Sequence, residues 1–205
     1  MIPSPVAARE FIDAGVTNPI ALFREWLAEA EQTEPNDPNA AALATATSAG
    51  MPSVRMLLMK GLDERGFAFF SNAESRKGVE LQENPVAAMC FHWKSQRRQV
   101  RVEGAVSELP ATEVDEYFHS RARGSQLGAA ASEQSRPLES RDQLEAMVLA
   151  LAKEYPGEIP RPDYWRGYVL APQRIEFWQH GDDRLHDRMV FEREGDAWRA
   201  TRLFP

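Results

Sequence analysis

The sequence holds a single cysteine, Cys90, so no disulfide can form within the chain and a reducing compartment fits. No apolar run approaches the ~20 residues that a membrane-spanning helix needs. The opening stretch MIPSPVAAREFIDAG has neither the basic nor the apolar region of a signal peptide, which points to a cytoplasmic protein. There is no excess of basic residues either. The formal net charge is -7, which argues against a nucleic-acid partner held by bulk electrostatics. His92, His119, His180, His186 and Cys90 show no metal-ligand spacing. G-x-G-x-x-G, G-x-x-x-x-G-K-[ST] and G-x-S-x-G are all missing, so nicotinamide-Rossmann, P-loop and α/β-hydrolase readings fall. Internal repeats and low-complexity tracts are absent too.

What is present fits one ordinary domain: 205 residues, 43% hydrophobic and 27% charged. Residues 1–17 have little periodicity and read as an N-terminal arm, leaving 18–205 as the domain. Asn18-Pro19 gives an N-cap followed by proline at the first helical position, and Leu22, Phe23, Trp26, Leu27 and Ala30 form one apolar stripe. A helix over 19–31 follows. From residue 40 the pattern becomes strands joined by short turns: two around Ser48-Ala49-Gly50, then FAFFSN, VAAMCFHW and the alternating run from Gln99. VAAMCFHW reads as buried on both faces. A short helix at SRKGVELQENP, a helix at ATEVDEYFHSR and one over 141–154, opened by Ser140 and Gln143 in capping-box spacing, interrupt them. The C-terminal part returns to strands, with a hairpin at REGDAW. This order predicts a mainly β, α+β fold, an antiparallel barrel with flanking helices rather than βαβ units.

Four clusters carry chemistry. Arg76 and Lys77 open a helix, where the macrodipole is positive and acidic side chains are favoured. Either they are solvated surface charges, or an anion sits there on free backbone N–H groups and two cations. In SVRMLLMKG, Lys60 shares a strand face with Val54, Met56 and Leu58; it either snorkels from the strand end or meets a ligand at a barrel mouth. Tyr117 and Arg121 lie at i, i+4, with Ser125 in a glycine-containing turn, which makes either a phosphate clamp or an ordinary helix C-terminus. Finally, a strand through Arg184-Leu185-His186-Asp187-Arg188 would put Arg184, His186 and Arg188 on one face, a repulsive arrangement unless an anion lies among them. So many cations in an acidic chain fit two phosphorylated ligands, such as a nucleotide cofactor and a substrate.

The blocks RMLLMKG, SRKGVELQENP, RRQVRVEG, YFHSRARGSQLGAAASEQS, IEFWQ and RLHDR, in that order, resemble the pyridoxine/pyridoxamine 5′-phosphate oxidases, flavoproteins of the FMN-binding split β-barrel fold. The resemblance runs from about residue 19 to the C-terminus. It implies an FMN site at Arg55, Met56, Leu57, Leu58, Met59, Lys60, Phe70, Ser71, Arg76, Lys77, Gln99, Gln134, Ser135, Trp178 and Arg188, shared across a homodimer interface. It implies substrate contacts at Lys60, Tyr117, Arg121, Ser125, Arg184, Leu185 and His186, with Arg184 and His186 as the catalytic pair. The implied reaction oxidises pyridoxine or pyridoxamine 5′-phosphate with O2 to pyridoxal 5′-phosphate and hydrogen peroxide. A related FMN oxidase of another planar ring, of phenazine-pathway type, is the alternative, and a non-catalytic flavin or pyridoxal-phosphate carrier is a third reading. Two departures stand out. Ala8-Arg9-Glu10-Phe11 replaces the family's frequent Arg-Arg-Glu-Tyr, and Phe70-Ser71 replaces a common Tyr-Thr.

Overall fold

The computed structural model describes residues 15–205. Most of the expected N-terminal arm, including Ala8-Arg9-Glu10-Phe11, lies outside the described residues. In chain order the elements are α1 (Pro19–Thr33), β1 (Ala40–Ala46), β2 (Pro52–Leu58), β3 (Gly61–Asp63), β4 (Gly66–Asn72), α2 (Arg76–Glu83), β5 (Val86–Trp93), β6 (Arg98–Glu108), α3 (Ala111–Ser120), α4 (Arg123–Ala131), α5 (Arg141–Glu154), β7 (Trp165–Gln179), a 3-10 turn (Asp182–Arg184), β8 (Asp187–Glu194) and β9 (Ala197–Leu203). The strands form one antiparallel sheet in the order β2-β1-β5-β6-β7-β4-β3, with β8 on β7 and β9 on β8.

The long strand β7 organises the sheet. Its first half pairs with β4 and its second half with β8, while β6 runs along its other edge. Helix α1 closes the main core. The Asn18 side chain accepts from the Ile20 and Ala21 N–H groups, Pro19 starts the first turn, and Leu22, Phe23, Trp26 and Ala30 are buried. Phe23 meets Phe67 and Phe91 edge-to-face at 4.9 Å, and Trp26 meets Phe177 at 5.1 Å. A second core, containing Val114, Phe118, Leu127 and Trp165, seats α3 and α4 on β7.

Three local expectations change. β5 buries one face only: Met89, Phe91 and Trp93 are inside, whereas His92 on the opposite face is exposed. Ser125 lies in the first turn of α4, not in a loop, because Gln126 N–H and Ser125 N–H both bond back to the Ala122 carbonyl. The capping pair of α5 is also displaced. Ser140 Oγ accepts from the Gln143 N–H as expected, but the Gln143 side chain reaches back to the Glu139 N–H.

Candidate active site

The cations that the sequence singles out lie in three places. At the first, β2 supplies Arg55, the end of β4 supplies Ser71, α2 supplies Arg76 and Lys77, and the loop after α4 supplies Gln134 and Ser135. Lys77 Nζ donates to Ser75 Oγ at 3.0 Å and to Gln134 Oε1 at 2.8 Å, and Arg76 N–H donates to Ser135 Oγ at 3.2 Å. Ser71 Oγ reaches Gln134 Oε1 at 3.5 Å. The helix start is therefore less open than a bare N-terminus, since Ser75 Oγ also caps the Gly78 N–H. What would favour an anion at this spot is its charge. Lys77 is only 8% exposed, and burial together with the nearby Arg55 lowers its pKa to about 8.

The second place is a cavity of about 440 Å³ lined by Leu58, Lys60, Phe70, Tyr117, Arg121, Ala122, Ser125 and Trp165. All four residues of the expected substrate-phosphate clamp meet here. Phe70 and Tyr117 stack at 3.9 Å, Phe70 and Trp165 at 5.3 Å, and the Arg121 guanidinium lies 5.0 Å over the Trp165 ring. Gly167, opposite Phe70, makes the stack possible: a Cβ there would stand 2.8 Å from the Phe70 ring. The Nη1 atom of Arg121 is buried and has no hydrogen-bond partner among the described residues, and burial lowers its pKa. Trp165, which holds Arg121, escaped the sequence reading.

The third place is the far end of β7. Gln99, Trp178 and Arg188 stand side by side on β6, β7 and β8. Arg184, His186 and Arg188 do not share a strand face, which corrects the sequence expectation. Asp183 and Arg184 take positive φ values, 53° and 64°, so the chain turns there and β8 begins only at Asp187. Arg188 is answered from within the protein: its Nε and Nη2 both lie 2.9 Å from Glu176 Oε1. Glu176 is buried and also pairs with Arg101 and Arg174; burial pushes its pKa up, but Arg188 and Arg101 outweigh this and hold it low. His186 packs 4.7 Å from Trp178, and its Nδ1 accepts from the Gly181 N–H at 3.2 Å. A neutral His186 therefore carries its proton on Nε2. Beside it a cavity of about 510 Å³ reaches Arg202 and the terminal Pro205.

Of the remaining expected FMN contacts, Met59 is buried in the main core, Leu57 packs against it, and Met56 is 66% exposed on the outer face of edge strand β2. The second and third places are far apart in one chain. Phe70 pairs with Gly167 and Arg188 with Trp178, eleven residues further along β7. At ~3.3 Å per residue a straight strand would span roughly 35 Å, an upper bound because the β6–β7 pairing is irregular at Glu103 and Gly104. Across the described residues, every lysine or arginine withdrawn from solvent is paired with a carboxylate except Lys77 and Arg121.

Comparison with known proteins identifies the family. A family model described as pyridoxamine 5′-phosphate oxidase matches residues 27–153, and one described as the pyridoxine 5′-phosphate oxidase C-terminal dimerisation region matches residues 165–205. A pyridoxine/pyridoxamine 5′-phosphate oxidase of Chelativorans sp. (strain BNC1) is 55% identical, covering 100% of this chain and 98% of its own. One from Gluconobacter oxydans (strain 621H) is 57% identical over 92% of this chain and 94% of its own. Among solved structures, PhzG from Burkholderia lata 383, in complex with tetrahydrophenazine-1-carboxylic acid, superposes with a TM-score of 0.89 at 36% identity, covering 94% of this chain and 95% of its own. An FMN-binding protein from Nostoc punctiforme PCC 73102, at 17% identity and a TM-score of 0.73, shares the fold.

Proposed function

The chain belongs to the pyridoxine/pyridoxamine 5′-phosphate oxidase family, and on that premise we propose that it oxidises both phosphates to pyridoxal 5′-phosphate, with FMN as cofactor and O2 as the final acceptor. The observation that carries this reading is the pair of uncompensated cations. Lys77 is buried and Arg121 half-buried, neither with a carboxylate partner; Lys77 meets Ser75 and Gln134 beside Arg55, and Arg121 shares its cavity with Lys60, Tyr117 and Ser125, as a bound phosphate requires. Two phosphates fit a mononucleotide cofactor and a phosphorylated substrate. The residues therefore suit FMN: Arg55, Arg76, Lys77 and Ser135 would take its phosphate, and Gln99, Trp178 and Arg188 its ring end.

The upper bound of roughly 35 Å between the clamp around Arg121 and the turn bearing Arg184 and His186 is well beyond the length of any pyridoxine phosphate. This spacing favours a second copy supplying the turn to the substrate held by the first copy's clamp. The reading is thus of a homodimer, in keeping with the C-terminal dimerisation region, with FMN and substrate held between Lys77 and Arg121 of one copy and Trp178, Arg184, His186 and Arg188 of the other. Met56 and Val54, 66% and 68% exposed on the outer face of edge strand β2, supply apolar surface that such an interface would cover. A single cysteine, and no helix among the described residues long and apolar enough to cross a membrane, fit a cytoplasmic setting.

Held by Arg55, Arg76, Lys77 and Ser135, FMN would supply the two-electron acceptor for a hydride leaving the substrate's 4′ carbon, with O2 as the terminal oxidant that is reduced to hydrogen peroxide. The protein's part is placement. Lys60, Tyr117, Arg121 and Ser125 fix the substrate phosphate and so the position of the ring. Arg184 orients the ring and stabilises charge on it, and His186 presents its Nε2–H as a donor, because Gly181 occupies Nδ1. The alcohol substrate gives the aldehyde directly, while the amine gives an imine that water hydrolyses with release of ammonia. The purified protein, loaded with FMN and given pyridoxine 5′-phosphate in air, should form pyridoxal 5′-phosphate and peroxide in equal amounts. A flavin-loaded protein that makes neither would overturn the proposal.

A further inference from the structure

Glu80 sits behind the first cation cluster, and neither the family match nor the expected ligand set gives it a role. It is 3% exposed, on the same helix as Arg76 and one turn further on. One carboxylate oxygen, Oε1, accepts from Arg76 Nε at 2.9 Å. The other, Oε2, accepts from Ser53 Oγ at 2.5 Å and from Thr45 Oγ1, and lies 3.5 Å from Arg55 Nη2. Burial would raise the pKa of this carboxyl, but the bonds from Ser53, Thr45 and Arg76 prevail and hold it at about 2.

The direction of these bonds matters. Each hydroxyl spends its proton on Glu80 and so turns a lone pair outward. Arg55 donates into both lone pairs, from Nη1 to Thr45 Oγ1 at 2.6 Å and from Nη2 to Ser53 Oγ. Glu80 therefore sets Arg76 directly and Arg55 through two hydroxyls, from β1 and β2. It also trims the charge: Arg55, Arg76 and Lys77 with Glu80 leave a net +2, against about -2 on a phosphomonoester at neutral pH.

We infer that Glu80 is a positioning residue for the cofactor phosphate, presetting Arg55 and Arg76 before the flavin arrives. This rests on reading the Arg55–Lys77 cluster as the FMN-phosphate site. An amide could not replace the carboxylate, because its NH2 would face either the Arg76 N–H or hydroxyls that already donate.

The test compares FMN with riboflavin, which has the same ring and no phosphate, by flavin-fluorescence titration of protein stripped of cofactor. Glu80→Ala and Glu80→Gln should raise the Kd for FMN about tenfold or more, the scale of a charge-assisted hydrogen bond. The Kd for riboflavin should stay within about twofold, since nothing at Glu80 touches the ring end. Lys77→Met is the reference variant. If it narrows the FMN preference and the Glu80 variants do not, the role given to Glu80 is wrong and the site stands. If Lys77→Met leaves the preference intact, the site itself is misread. Equal losses for both flavins in the Glu80 variants would mean a structural role only, and would also overturn the inference. Should the Glu80 variants fail to fold, Ser53→Ala and Thr45→Val decide it: the selective loss should appear with Glu80 in place, and its absence refutes the relay.

Discussion

Replacing Arg121 with alanine should damage the use of phosphorylated substrate and little else. The guanidinium is half-buried, its Nη1 has no partner among the described residues, and no carboxylate offsets its charge. A charge-assisted hydrogen bond to a phosphate contributes about 1.5–3 kcal/mol, which is roughly a 10- to 150-fold change in an equilibrium constant. Lys60, Tyr117 and Ser125 remain in the cavity, so binding is weakened and not abolished. Folding should respond in a different way. The variant loses a cation–π contact with Trp165, about 0.5–1 kcal/mol, but also sheds the cost of holding an unpaired charge away from water. The two terms oppose, so the melting temperature should move by only about 2–3 °C.

The assay is steady-state oxidation of pyridoxine 5′-phosphate and of pyridoxine, following peroxide. Arg121→Ala should lower kcat/KM for the ester by about 10- to 150-fold, chiefly through KM, and for the unphosphorylated alcohol by less than about threefold. Arg121→Lys keeps the charge but loses the planar fork and should fall between. Equal losses on both substrates would show that Arg121 supports the cavity and does not read the phosphate. No loss on either would refute the clamp, and would favour a non-phosphorylated planar ring as the natural substrate.

Other consequences follow from the same geometry. Gly181→Ala would put a Cβ 2.0 Å from the Leu185 carbonyl oxygen, so the turn carrying Arg184 and His186 must shift; kcat should fall at least about tenfold while the flavin absorbance of the dialysed protein is kept. Arg188→Ala should release flavin on dialysis, whereas Arg184→Ala should keep it and slow turnover, because Arg188 is tied into the sheet through Glu176 and Arg184 stands on an exposed turn. Lys77 gives opposite pH trends with and without cofactor. Its folded pKa of about 8 lies below its ordinary 10.5, so across that window the folded apo-protein has lost a proton that the unfolded chain still holds, and apo stability rises with pH. On the proposed reading FMN would bind the protonated amine, so its affinity should fall above about pH 8, and Lys77→Met should flatten both trends.

Most strands were legible because alternation and turn residues marked them, though not the short β3 at Gly61–Asp63, and α1 because its cap and apolar stripe agree. Helix α4 was not. Its sequence RGSQLGAAA contains two glycines and too short an apolar stripe, yet the alanine run favours helix once Leu127 and Ala131 find a core. The shared face of Arg184, His186 and Arg188 failed for a local reason. Gly181, Asp182 and Asp183 are turn residues, and two successive positive φ angles break the period of two before β8 starts. The convergence of Arg55 with Lys77 and Gln134 had no local signal at all, since the three stand on separate elements far apart in sequence. Glu80 did leave one: it lies four residues after Arg76, the spacing of a helical ion pair.

The position of the carboxylates explains how an acidic chain assembles a cationic site. A buried cation is costly, and most of those here meet a carboxylate of the same chain: Arg55 meets Glu80, which also holds the exposed Arg76, and Arg188 meets Glu176. These contacts form without any ligand and hold geometry, and Glu80 offsets only one of the two charges on Arg55 and Arg76. Of the cations withdrawn from solvent, Lys77 and Arg121 are the two with no carboxylate partner among the described residues, so on the proposed reading they add most to the attraction for an anion. Each therefore waits on a phosphate for its balance, one at the start of α2 and the other in the cavity beneath Trp165. It follows that inorganic phosphate at high concentration should compete at both, and should do so more weakly in Lys77→Met at the first and in Arg121→Ala at the second. A single competitive site, unaffected by one of the two substitutions, would break the link between uncompensated charge and phosphate binding.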